Sequence, residues 1–344
     1  MATNKRTHAC FCISILFLFI SQFTTAQERS YPQTIFELLT KEEGGKFTLQ
    51  TDLISITENR RKDEYTPAIL TAPNGKSYTV NILPKGKFRR QKAEVPPLKI
   101  KFPKKTLRAD GLDTLNELKL ILPCFDSRDG DELLAKEYLI YKMFEHLTSN
   151  CVKARLIQVE LRDSHVGKTR KSMLGILVED NEETAARLNG VEVEQYGMPV
   201  DSLQLNQVAL VAMFQYMIGN TDWDIAMLRN VRLIRPRQGE GVLVMPYDFD
   251  FSGLVGAPYA SPASESGLES VLDRFLMANG IPRADLRRAA QTLTSAKDDL
   301  YNICHSKYLA RSTSNDLKKY LDTFFDSIDK NFDVPVRKSF EWTR

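Results

Sequence analysis

The chain has 344 residues, with 47 Lys and Arg against 44 Asp and Glu, and a formal charge of +3. Such a near balance supplies no basic face for a nucleic-acid backbone, and 42% hydrophobic residues is enough to bury a substantial core. Five cysteines and four histidines stand at spacings that fit neither a disulfide scaffold nor a zinc site.

Lys5 and Arg6 lead into an uncharged apolar run from Cys10 to Phe23 that ends in Thr24-Thr25-Ala26. A charged start, a short apolar core and a small residue at the end predict a secretory signal over residues 1–26, cut after Ala26. The core is short for a bilayer span, so the mature chain from Gln27 is expected to be exported, periplasmic or extracellular, with no membrane span. Cleavage lowers the formal charge to about +1 and leaves Cys124, Cys151 and Cys304, for which a Cys124 to Cys151 bridge stays open.

From Lys46 to Phe102 the pattern predicts short strands at Lys46 to Ile54, Ala68 to Thr71, Ser77 to Leu83 and Pro97 to Phe102, with a hairpin turn at Ala72-Pro73-Asn74-Gly75. A strand at Leu118 to Leu122, a helix at Asp131 to Thr148, and strands at Val152 to Leu161 and Met173 to Glu179 follow. The second half predicts a helix at Leu203 to Ile218, strands near Asn230 to Ile234 and Gly241 to Met245, and helices beyond Gly267. Pro282 opens one of these helices, and Ser312 to Asn315 breaks two others.

On the first long helix, Leu133, Glu137, Ile140, Phe144 and Leu147 share one stripe, so Glu137 points at the core. A carboxylate there needs a cation: either Lys119, on an otherwise apolar strand eighteen residues earlier, pairs with it, or both long side chains reach out to the edge of the lobe. Lys99 and Lys101 alternate with apolar residues and read as a solvated strand face. Gly219-Asn220 marks a helix end, followed by Asp222 in a loop, then Asn230, then an apolar strand running into Asp248 and Asp250. At period two, Asp248 and Asp250 converge on one side and ask for a divalent cation, with the Asn230 carbonyl as a further ligand. Asp222 is then the carboxylate left to take a proton from an attacking hydroxyl.

Lys119, Glu137, Asp222, Asn230 and Asp248 stand in the order of the active-site residues of protein-kinase-like enzymes. Gly219-Asn220-Thr221-Asp222 resembles the loop of the CotH and HipA kinases, and Pro246-Tyr247-Asp248-Phe249-Asp250 resembles the corresponding CotH segment. The resemblance covers about Pro97 to Ala260. It implies that Lys119 meets nucleotide phosphates, that Asp222 is catalytic, that Asn230 and Asp248 hold metal, and that Leu177 to Asp180, with Glu179, is a hinge beside the adenine.

The expected fold is therefore α+β and bilobal, protein-kinase-like. A β-rich antiparallel N-terminal lobe with one packed helix spans residues 27–180, and a mostly helical C-terminal lobe spans 181–344. The expected function is an exported phosphotransferase that uses ATP with Mg2+ or Mn2+ on a protein or small hydroxylated substrate. Asn230 lies eight residues after Asp222, farther than in related kinases, and Asp224 replaces a HipA histidine. The alternative is a catalytically inactive pseudokinase that acts as an envelope or extracellular binding or assembly protein.

Overall fold

The structure, a computed structural model, describes residues 32–166 and 169–328, so the signal expected over residues 1–26 lies outside it. A short helix, α1 (Ile35–Leu39), starts on a Thr34 and Glu37 capping box and leads to β1 (Lys46–Thr51). Then come α2 (Leu53–Glu58), β2 (Thr66–Thr71), β3 (Ser77–Pro84), α3 (Phe88–Lys92), β4 (Leu98–Lys101), α4 (Lys104–Ala109) and β5 (Glu117–Ile121). The long helix α5 (Arg128–Leu147) precedes β6 (Ala154–Asp163), β7 (Thr169–Glu179), α6 (Asn181–Arg187) and β8 (Gly190–Glu192). The rest is α7 (Leu205–Ile218), β9 (Val231–Pro236), β10 (Leu243–Pro246), α8 (Arg283–Ser295), α9 (Lys297–Ile303) and α10 (Arg311–Ile328).

The first seven strands form a closed barrel in the order β1-β2-β3-β4-β5-β7-β6. Six of its pairings are antiparallel, but the seam is not: β1 runs parallel to β6, from Lys46 beside Gln158 to Thr51 beside Asp163. This overturns the expected bilobal protein-kinase-like fold with an antiparallel, β-rich N-terminal lobe. The strand positions were foreseen, but the pairing that closes the sheet joins segments far apart in sequence and leaves no local trace.

Alternation along the strands sorts the side chains. Phe47, Leu49, Leu70, Val80, Ile82, Leu118, Leu120, Ile157 and Val159 fill the barrel. On β5, β6 and β7, Ile121, Leu156, Ile176 and Val178 belong instead to a second apolar cluster with Tyr138, Tyr141 and Phe144 of α5. That second cluster is built around α7, which is buried along almost its whole length. A three-stranded sheet, β10-β9-β8, lies in the same part of the chain and carries the Asp248 segment on the end of β10. No helix among the described residues is long and apolar enough to cross a membrane. Cys124, Cys151 and Cys304 are buried and unbridged.

Candidate functional site

The inward-pointing acid of α5 is Glu137, only 1% exposed, and its cation is Arg89 of α3, 6% exposed. The Arg89 guanidinium donates through both terminal nitrogens to the Glu137 carboxylate, at 2.7 and 3.1 Å. It also donates to Asp248 Oδ1, and its Nε lies 3.2 Å from Asp250 Oδ2. Burial alone would weaken its hold on the proton, but Asp250, Glu137 and Asp248 outweigh that and keep the guanidinium charged.

Three segments fix these acids. Asp248 follows β10 with a φ of +62°, in the left-handed region, so the chain is not extended there. Its backbone N–H donates to the Tyr141 hydroxyl of α5 at 2.9 Å, which holds the turn in place. Asp250, two residues on, accepts from Tyr259 at 3.1 Å. Burial pushes the Asp250 carboxyl up, while for Asp248 the cations Lys119 and Arg89 outweigh burial and hold the carboxyl low.

Lys119 of β5 points at this cluster, with Nζ 3.6 Å from Asp248 Oδ1 and 5.5 Å from the centre of the Tyr247 ring. The Lys119 to Glu137 pair is not what forms. Glu137 takes Arg89, whose planar fork fits a carboxylate better than an ammonium does, and Lys119 goes to Asp248. Lys99 and Lys101 both pair with Glu117 instead.

The loop after α7 forms as its residues suggest. Gly219 ends the helix at a φ of +66°, and a Cβ there would also collide with Tyr320. Asn220 is buried, donates to Gln215 and accepts from the Asp222 N–H at 2.9 Å. Asp224 and Arg229 exchange two backbone hydrogen bonds, and Asp224 Oδ1 caps Met227 N. Asp224 is therefore a turn former, and a small closed loop fills the stretch between Asp222 and Asn230. Asn230 returns to donate its amide to both the Asp222 carbonyl, at 2.7 Å, and the Asp222 carboxylate, at 2.9 Å. Burial raises the Asp222 carboxyl above its usual range, against the pull of Arg229.

No protein-family model and no curated protein matches this chain. Of the residues expected to act, Lys119, Glu137, Asp248 and Asp250 are brought together, and Asp222 with Asn230 forms a second unit beside Asp248. Glu179 stands apart. It is fully buried, its carboxylate accepts from Arg187 and from Lys153 N, and its carbonyl accepts from Arg232. Gly44 lies in the turn into β1, with its N–H donating to the Leu156 carbonyl.

Carboxylate oxygens of Glu137, Asp248 and Asp250 lie within 4.8 Å of one another, a set of hard donors that fits Mg2+ or Mn2+. Arg89 was missed by the sequence reading. It sits in the basic run Lys85, Lys87, Arg89, Arg90 and Lys92, and only the demand of Glu137 for a bidentate cation could have singled it out.

Proposed function

We propose that this chain is an exported phosphotransferase that moves the terminal phosphoryl group of ATP to a hydroxyl on a protein or small molecule, with Mg2+ or Mn2+. The observation that carries this reading is the locking of Asp222 by Asn230 beside the Asp248 cluster that Lys119 faces. The resemblance of the two motifs to those of CotH and HipA, and the signal-like first 26 residues, support the same reading.

The residues divide the work as follows. Asp222, with its raised carboxyl, accepts the proton of the attacking hydroxyl as that oxygen bonds to phosphorus and the bond to the leaving diphosphate breaks. Lys119 sets the phosphate chain against the acids. Glu137, Asp248 and Asp250 would hold the divalent ion, which supplies charge for the phosphate oxygens.

Arg89 favours a second reading, because it already compensates the acidic cluster and would suit a non-catalytic binding or assembly protein. Thermal unfolding and phosphoryl transfer separate the two. ATP with Mn2+ raises the midpoint, by the equivalent of about 2.7 kcal/mol at a hundredfold excess over Kd, and Asp248→Asn abolishes the rise. Asp222→Asn keeps the rise but loses roughly 10²–10⁴-fold in the rate of phosphate release or transfer. If no combination of ATP and metal moves the midpoint, the non-catalytic reading stands.

A further inference from the structure

The cation in the acidic cluster is part of the chain, and it cannot lose its charge: an arginine stays protonated in any protein environment. The cluster also has no spare room. The void lined by Arg89, Cys124, Glu137, Asp250 and Tyr259 measures about 10 Å³, the size of one water, whereas a bound Mg2+ or Mn2+ needs six oxygens around it. Asp248 is partly exposed, but a divalent ion can be held by all three carboxylates at once only if the guanidinium leaves them.

Leaving is costly unless the guanidinium finds another anion, because a buried charge stripped of its partners has nothing left to offset its lost hydration. The three carboxylates are already engaged, and the nearest other acid of the site, Asp222, is held by Asn230 and lies beside Arg229. The segment that carries Arg89 is short and is held mainly by contacts outside itself. Gly86 precedes it at a φ of +95°, and α3 has five residues and no side-chain N-cap. A helix that short has little stability of its own. It is anchored at two places: Phe88 stacks on Tyr259 at 5.2 Å and meets the edge of Phe251 at 5.3 Å, and Arg60 donates to the carbonyls of Gln91, Ala93 and Glu94 at its far end. Lys87, on the same segment, is near enough to Asp222 to pull on its carboxyl, so the segment borders the place where phosphates would lie.

We propose that Arg89 is a displaceable cation that closes the acidic cluster to a bare divalent ion and yields it only to the ion and nucleotide together, moving from the carboxylates to the phosphates. This rests on the phosphotransferase reading and adds to it a coupling between metal and nucleotide. Phosphates that arrive with the ion give Arg89 the anion it loses, so each ligand makes room for the other.

Binding of Mn2+, followed through the free-ion EPR signal, tests this on the full chain with and without a non-hydrolysable ATP analogue. Wild type is expected to bind Mn2+ at least tenfold more tightly with the analogue than without it. Arg89→Met is expected to bind Mn2+ alone at least tenfold more tightly than wild type does. If wild type takes Mn2+ alone as tightly as it does with the analogue, the gating role of Arg89 is wrong while the metal site stands. If wild type with the analogue binds no Mn2+, the phosphotransferase reading falls and takes this proposal with it. A readout that needs no variant is hydrogen exchange over residues 85–92 of wild type. It should rise when Mn2+ and analogue are both present and stay unchanged with Mn2+ alone; exchange unaltered by the pair would overturn the proposal.

Discussion

A buried acid away from the site shows how a single residue can set the response to pH. Glu183 of α6 is 5% exposed, accepts from the Thr34 hydroxyl at 2.6 Å through one oxygen, and has no partner on the other. Burial pushes its carboxyl up to about 7 from a reference of 4.5. The folded state therefore binds more protons than the unfolded state between those values, so stability from this group is full below pH 4.5 and is lost as pH rises through 7. The loss amounts to about 3 kcal/mol at neutral pH and above. Urea unfolding at pH 5 and pH 8 should show that drop in wild type and a flatter profile in Glu183→Gln; parallel profiles would refute the assignment. At this scale the sequence was informative wherever a periodic pattern put an acid on an apolar face, as for Glu137. It was silent on Arg89, because a basic residue in a short irregular segment carries no period to show which way it points.

Among the elements, the long ones were legible and the short ones were not. Helices α5 and α7 and most barrel strands lie close to where apolar periodicity and turn residues put them. Helices α1, α3 and α4 have five or six residues, too few for a 3.6-residue period to register. The break expected at Ser312 to Asn315 is absent, since α10 runs from Arg311 to Ile328. Its buried stripe of Leu317, Leu321, Phe324, Phe325 and Ile328 outweighs the few tenths of a kcal/mol lost at each poor helix former. On β7, Gly175 faces the barrel interior, where a Cβ would stand 2.8 Å from Val159, 3.1 Å from Leu120 and 3.3 Å from Ile157. Gly175→Val should therefore lower stability by about 1–3 kcal/mol, read as a lower urea midpoint at unchanged slope. An unchanged midpoint would mean that the barrel interior is not packed as described.

Across the whole of the described chain, the residues from 33 to 328 that the structure describes form one compact unit, although the apolar side chains fall into two clusters. The clusters share β5, β6 and β7, which feed one with one face and the other with the opposite face. Melting either cluster strips those strands of half their packing, so the two should unfold together. Trp223 lies in the α7 cluster, and Trp342→Phe leaves it as the sole indole reporter. Its fluorescence and the far-UV circular dichroism should then give one coincident transition in urea, and two separated midpoints would show the clusters to be independent. The parallel seam between β1 and β6 also sets a timetable. Asp163, at the far end of that seam, accepts the backbone N–H of Leu53, 110 residues earlier in the chain. A ribosome adding about 5–20 residues per second needs roughly 5 to 20 s to supply that stretch. For that interval the first strand has no partner on its β6 side, and the growing chain presents a bare edge that other chains can join.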